Sequence, residues 1–283
     1  MEYQSKISNA VVKSQETAAS VESLKLSLTD KQLEKFQVNG YLLLKNVSEV
    51  MPLIRVMQDE VRTLGKQFMA YYDDETSLEK IAALPSNRRK AFYHALRYLP
   101  STTQLACSTL LLDISKQLKL VQPAVMHSYN LRMDMPNEPQ FMFQWHQDIT
   151  YLLGSKNSIT YWVPLTPVNE HRGSIELIEG SHRQGLVPYH YTGEGPPPSH
   201  KSMSPRDICL DIEPTDDAKM IKAEPGDIVV FSQFLLHRST PNYSNQIRWV
   251  SQVRHSDLGE ADFQEAGFPF GDCTNIFEQD FLN

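Results

Sequence analysis

The chain has 283 residues, with 27 Lys and Arg against 34 Asp and Glu, a formal net charge of −7, and 41% hydrophobic and 22% charged residues. That mix builds an ordinary globular core, while the acidic balance argues against nucleic acid or an anionic membrane surface as partner, since both need a cationic face. Cys107, Cys209 and Cys273 lie far apart with no CxxC spacing, which excludes a thiolate zinc cluster and fits a reducing, cytoplasmic setting, and no apolar run reaches the ~18–20 residues that span a bilayer.

Residues 1–26 are polar and unpatterned and read as a flexible tail, with 27–283 expected to form one domain. Order is predicted to begin with a helix capped by Thr29 or Asp30, with Leu33 and Phe36 on one face. Asn39-Gly40 should end it, and Tyr41-Leu42-Leu43-Leu44 should form a short buried strand. Helical spacing returns over 50–69 and over 78–120, where Pro85 and Pro100 are expected to break it. Beyond Val121 the pattern changes to short apolar runs (124–131, 141–145, 158–164, 174–178, 227–231 and 247–254) bounded by Gly, Pro and Asn. Short strands with frequent turn signals predict a sandwich or barrel core over about 121–255. The polar stretch 189–224, with Pro196-Pro197-Pro198, is too poor in apolar residues for core and reads as a structureless, lid-like insert.

The chemistry concentrates in His146-Gln147-Asp148, with His237 following 91 residues later. Residues i and i+2 of a strand project to one side, so the imidazole and carboxylate of a His-x-Asp can reach one ion. Two imidazoles and one carboxylate, with coordination places left open, are the ligand set of non-haem Fe(II) oxygenases. His237 is expected just past the strand of 227–231. His255-Ser256-Asp257 repeats the His-x-Asp pattern, but no histidine follows it. His94, His127, His171, His182, His190 and His200 read as structural or solvated. Arg248 lies 11 residues beyond His237, across the turn Tyr243-Ser244-Asn245. If the strand of Phe231 pairs with that of 247–254, Arg248 returns beside the metal, where its planar fork suits a carboxylate. Ser239 could add a hydroxyl to that carboxylate. Gln144, Tyr151 and Arg254 are weaker candidates for substrate contact.

Trp145-His146-Gln147-Asp148, then Gly173-Ser174-Ile175-Glu176-Leu177-Ile178-Glu179-Gly180-Ser181-His182, then Pro225-Gly226-Asp227 with His237-Arg238-Ser239 and Arg248, resemble the phytanoyl-CoA dioxygenase family. The opening Leu28-Thr29-Asp30, Phe36 and Asn39-Gly40-Tyr41-Leu42 also resembles that family, so the likeness runs from about Leu28 to Arg254. The resemblance implies a double-stranded β-helix, or jelly roll, flanked by helices. It implies Fe(II) on His146, Asp148 and His237, and 2-oxoglutarate held by Arg248 and Ser239 through its C5 carboxylate. Trp162 and Asn130 are implied near the cosubstrate, with O2 as the oxidant and ascorbate as accessory reductant. The block from Gly173 to His182 is expected to shape the barrel. Related halogenases lack the carboxylate ligand; Asp148 is present, which favours hydroxylation over halogenation.

The expected activity is hydroxylation of an unactivated C–H of a small polar metabolite or natural-product intermediate, by a monomer or homodimer, with succinate and CO2 released. Desaturation, epimerisation or ring closure at the same site, a non-catalytic jelly-roll binding module, and a zinc hydrolase remain as alternatives on sequence alone. No cationic cluster suited to the phosphates of CoA is evident.

Overall fold

The computed structural model describes residues 26–70, 78–127, 130–192, 208–213 and 217–270. The expected tail (1–26) therefore lies almost wholly outside the described residues, as does the centre of the expected lid.

Helix α1 (Asp30–Asn39) starts at a capping box in which the Thr29 side chain accepts from the Gln32 amide and the Gln32 side chain accepts from the Thr29 amide. It stops at Gly40, whose φ of 79° closes the last turn, and leads directly into β1 (Tyr41–Leu44). Helices α2 (Met51–Ala70), α3 (Ser86–Leu96), α4 (Pro100–Ala106) and α5 (Thr109–Gln117) follow. Pro85 and Pro100 were expected as breaks; they stand at the starts of α3 and α4, where a missing N–H costs no helical hydrogen bond. The strands are β2 (Pro123–Val125), β3 (Asn130–Asp134), β4 (Ile159–Pro164), β5 (Ile175–Leu177), β6 (Tyr189–Tyr191), β7 (Ile208–Leu210), β8 (Lys219–Met220), β9 (Ile228–Ser232), β10 (His237–Ser239) and β11 (Arg248–Asp257), before a last short helix, α6 (Ala261–Glu265).

The large sheet has the order β1-β9-β4-β11-β2, with β3 also paired to β11, and every pairing is antiparallel. A smaller sheet runs β10-β5-β8. The large sheet has two working faces. Tyr161 and Val163 of β4 and Trp249 and Val253 of β11 pack on Ile54, Met57, Phe92, Leu111 and Ile114 of the helices. Trp162 of β4 and Val250 of β11 face the other way, onto Ile175 and Leu177 of the small sheet. This is a mainly β jelly roll with a helical layer on one side, as expected, and the inner faces enclose the candidate site.

Several expectations need correction. The run 124–131 is two strands, not one, and both pair with β11. The run 141–145 forms no strand: Pro139 opens a tight turn over Pro139–Phe141, and irregular backbone follows. The His-x-Asp is consequently not a regular strand segment. His146 makes one isolated bridge to His237, and Asp148 begins a turn, Asp148–Thr150. β9 and β11 are not neighbours; both flank β4. His237 opens its own strand, β10, in the opposite sheet. The insert is not structureless either. β6 and β7 pair, β8 joins the small sheet, and Tyr189, Tyr191 and Ile208 pack on Tyr151 and Leu152. Residues 193–207 of the expected lid lie outside the described residues.

Candidate metal centre

His146 and His237 are cross-strand partners through reciprocal backbone hydrogen bonds of 3.0 and 3.1 Å, which set their rings 4.2 Å apart. Each ring is anchored by its own backbone. Nδ1 of His146 donates to the Gln144 carbonyl at 2.6 Å, and Nδ1 of His237 to the Leu235 carbonyl at 2.9 Å. A carbonyl can only accept, so both Nδ1 atoms carry the proton and both Nε2 lone pairs point inward. Burial, with the neighbouring His146, lowers the pKa of His237 to about 3, so the ring is neutral and able to ligate. Gln147, between the two ligands, points the opposite way and rivets the segment: it donates to the Gly185 and Phe234 carbonyls at 2.8 and 2.6 Å and accepts from the Val187 amide at 2.9 Å.

Asp148 is 1% exposed. Its Oδ2 accepts from Thr160 Oγ1 at 2.7 Å and from Arg254 Nε at 3.0 Å. Its Oδ1 lies 3.6 Å from both Nε2 atoms and accepts from the Tyr151 hydroxyl. Burial works against the charge, but the Arg254 guanidinium and the two histidines outweigh it and hold the carboxyl well below the usual carboxylate range. Burial and the Asp148 charge push the Tyr151 phenol well up, so it stays a donor.

One ligand atom from each of His146, Asp148 and His237 lies within 4.8 Å of the others, and all three residues are buried. A first-row divalent ion sits about 2.0–2.2 Å from nitrogen and oxygen ligands, so spacings of 3.6 Å leave room for one ion to touch all three. The donor set is two imidazoles with Nε2 turned inward and one ionised carboxylate with one oxygen turned inward. It fits a divalent iron centre with open coordination places.

The other predicted residues fall as follows. Arg248, at the start of β11, is 1% exposed. Its Nε and Nη2 lie 3.0 and 2.9 Å from Asp134 Oδ2, and Nη1 donates to the Ser174 and Thr240 carbonyls at 3.2 and 3.0 Å. Ser239, two residues beyond His237 on β10, is half-buried, and its amide donates to the Phe143 carbonyl at 2.9 Å. Trp162 is buried on the inner face of β4, two residues from Thr160. Asn130, on β3, is half-buried, and its buried Oδ1 has no hydrogen-bond partner among the described residues. The Gln144 side chain is exposed, and its link to the site is the carbonyl under His146. Tyr151 and Arg254 are both tied to Asp148. Sequence reasoning missed Thr160, Asp134 and Arg132. Thr160 had a signal, since it stands two residues before Trp162 on one strand face. Asp134 had none until the register placed it opposite Arg248.

A jelly roll around a buried pair of histidines and one carboxylate defines the class, that of the non-haem iron oxygenases. A family model described as phytanoyl-CoA dioxygenase (PhyH) matches residues 36–250, and the chain belongs to that family. It resembles 1-deoxypentalenic acid 11-beta-hydroxylase of Streptomyces exfoliatus, 32% identical over 108 residues, or 38% of this chain and 37% of that protein. This match thus spans little more than a third of the relative's length. Methylphosphonate hydroxylase of Gimesia maris is 24% identical over 243 residues, covering 84% of this chain and 85% of that one. Among solved structures, EvdO2 from Micromonospora carbonacea var. aurantiaca complexed with 2-oxoglutarate shares the fold, with a TM-score of 0.55 at 14% identity over 84% of this chain and 96% of that one.

Proposed function

We propose that the chain is an Fe(II)- and 2-oxoglutarate-dependent dioxygenase that hydroxylates an unactivated C–H bond of a small polar metabolite or natural-product intermediate. The convergence of His146, Asp148 and His237 inside the jelly roll carries this reading. When bound, iron and 2-oxoglutarate supply the oxidising chemistry: the keto acid is split to succinate and CO2, and one oxygen atom of O2 goes to the substrate. The protein's part is placement. His146 and His237 offer Nε2, and Asp148 offers Oδ1, while Thr160 and Arg254 occupy Oδ2 so that a single oxygen faces the ion. Arg248 is the cosubstrate anchor, with Ser239 beside it; a fork already supported on Asp134 is held rigid for a second carboxylate. Trp162 and Asn130 line the same inner face and exclude water from it.

The relatives named for hydroxylation favour that outcome over ring closure or epimerisation. No helix among the described residues is long and apolar enough to cross a membrane. With Cys107 and Cys209 as free thiols, a reducing cytoplasmic setting fits, with the protein acting as a monomer or homodimer and ascorbate as accessory reductant.

The test is anaerobic titration with Fe(II) and 2-oxoglutarate, followed by succinate release on admitting O2. The purified protein should bind both and release succinate. His146→Ala and His237→Ala should lose iron binding, and Arg248→Ala should raise the apparent Kd for 2-oxoglutarate by about tenfold or more. Unchanged cosubstrate affinity in Arg248→Ala would remove that residue from its role, and a protein that binds zinc but no 2-oxoglutarate would overturn the whole reading.

A further inference from the structure

On the inner face of the large sheet the buried charges do not balance. Arg132, Arg248 and Arg254 are 6%, 1% and 3% exposed, and they stand against two carboxylates, Asp134 and Asp148. Arg254 is taken up by Asp148 at 3.0 Å. Arg248 and Arg132 share Asp134: Arg248 lies 2.9 Å from Oδ2, and Arg132 Nη2 donates to Oδ1 at 2.6 Å. Among the described residues of this face, one positive charge is left over. On the reading above, a divalent ion and a dianionic keto acid cancel one another, so the surplus survives loading of the site. A buried charge without a counter-charge is costly, which favours an anion arriving from outside.

Arg132 is the guanidinium left open to it. Arg248 is already assigned: Asp134 and two backbone carbonyls hold it, and the N–H it now gives to the weakly accepting Met142 sulfur is the one left for the cosubstrate carboxylate. Arg132 has five N–H donors and, among the described residues, one hydrogen bond, to Asp134. Its guanidinium lies over the Phe143 ring, 4.3 Å from the centroid, and that ring meets His146 edge-on at 5.8 Å. The charge is thus one aromatic ring away from a metal-site imidazole. Opposite Arg132 on β11 is Val250, and the next inner-face residue along that strand is Gln252. Gln252 is 7% exposed, and its amide makes no hydrogen bond to another described residue. Trp162 faces Gln252 from β4. A guanidinium and a primary amide beside an indole wall offer donors to an oxyanion and an apolar surface to a carbon skeleton.

We propose that Arg132 and Gln252 bind the acid group of the substrate, so that the substrate is an organic oxyanion, a carboxylate or a phosphonate, held with its carbon skeleton toward His146. This rests on the 2-oxoglutarate-dependent reading. The two relatives reported above, named for 1-deoxypentalenic acid and methylphosphonate, supply probes of both kinds.

The experiment uses Ni(II)-substituted protein saturated with 2-oxoglutarate, which binds without turnover, and calorimetric titration with 1-deoxypentalenic acid, its methyl ester, methylphosphonate and dimethyl methylphosphonate. The native protein should prefer one of the acids over its ester by about tenfold or more. Arg132→Gln should erase that preference, Arg132→Lys should keep part of it, and Gln252→Leu should weaken the acid without affecting the ester. Because preference is a ratio of two affinities on one sample, a general loosening of the site leaves it intact, and thermal melts verify that each variant is folded. No preference in the native protein, or an undiminished preference in Arg132→Gln, overturns the proposal. So does loss of 2-oxoglutarate affinity with the acid preference intact, since Arg132 would then serve the cosubstrate. Failure of the native protein to bind 2-oxoglutarate at all sinks the underlying reading instead, and is seen before any acid is added.

Discussion

Two His-x-Asp triplets occur in this chain, and only one reaches the candidate centre. His146 and Asp148 turn their ligand atoms inward. His255 stands on the opposite face of β11 from Arg254 and enters the helical layer, where Nδ1 is 2.7 Å from Ser115 Oγ and Nε2 donates to the Ala106 carbonyl at 2.9 Å. Asp257 accepts from the Val121 and Gln122 amides at 2.9 and 2.8 Å and holds the chain entering β2. The same His-x-Asp pattern thus takes different work from the faces on which it lands. Burial lowers the pKa of His255 to about 4, with the Ala106 carbonyl opposing. Between an unfolded value of about 6.5 and that folded value, the unfolded chain binds a proton that the folded one refuses. Stability should therefore be full above this window and fall by up to about 3 kcal/mol as the pH drops through it. Denaturant midpoints measured across the window should show the slope, and His255→Gln should flatten it. An unaltered slope in that variant would move the acid sensitivity elsewhere.

At the scale of elements, β11 is the spine of the site. It pairs with β2, β3 and β4, and its inward residues Arg248, Val250, Gln252 and Arg254 run from the proposed cosubstrate anchor to the aspartate's counter-charge. The turn before β5 is fitted to it. Gly173 has a φ of 78°, and a Cβ there would lie 2.5 Å from Arg248 Nη1 and 2.6 and 2.7 Å from the Pro241 and Thr240 carbonyls. Gly173→Ala should cost about 1–3 kcal/mol in backbone strain alone and displace the guanidinium, so 2-oxoglutarate affinity should fall by about tenfold or more. A melt paired with cosubstrate titration checks both, and lowered stability with unchanged affinity would uncouple this turn from Arg248. The glycine block was legible in the sequence as a barrel-shaping turn, and so were the caps of α1, the strands Tyr41–Leu44 and Ile159–Pro164, and the ligand trio. What stayed hidden was long-range. Strand order is set by which apolar faces meet, and no local pattern states that β4 separates β9 from β11. No local pattern singles out Asp134 and Arg132; only register sets one beside Arg248 and the other over Phe143. The apolar run before His146 mimicked a strand because periodicity cannot register the turn at Pro139.

Across the whole molecule, the proposed metal centre and the fold meet at one ion pair, Asp148 with Arg254. Many small metal sites fold only when loaded, because their ligands repel or stay unsatisfied without the ion. Here the buried carboxylate of Asp148 is compensated by protein groups alone: Arg254 and Thr160 on Oδ2 and Tyr151 on Oδ1. His146 and His237 are anchored by backbone carbonyls and need no ion to hold their rings. The metal-free protein should therefore unfold cooperatively, and a chelator should not denature it. Adding Co(II) or Ni(II) at about a hundred times its Kd should raise stability by about 2.7 kcal/mol, the increment that mass action allows. Arg254→Met reverses this economy. It leaves Asp148 buried and short of its counter-charge, a change that costs about 3–5 kcal/mol in comparable pairs. A divalent ion can restore that counter-charge, so the variant should melt well below the native protein when metal-free and recover most of the difference when loaded. The comparison is four melts, native and variant, each with chelator and with Ni(II). If the variant's deficit is the same in both conditions, Arg254 supports the fold without acting through Asp148. If the deficit closes on loading, the guanidinium is what lets this jelly roll keep its proposed metal-binding carboxylate ionised before any metal arrives.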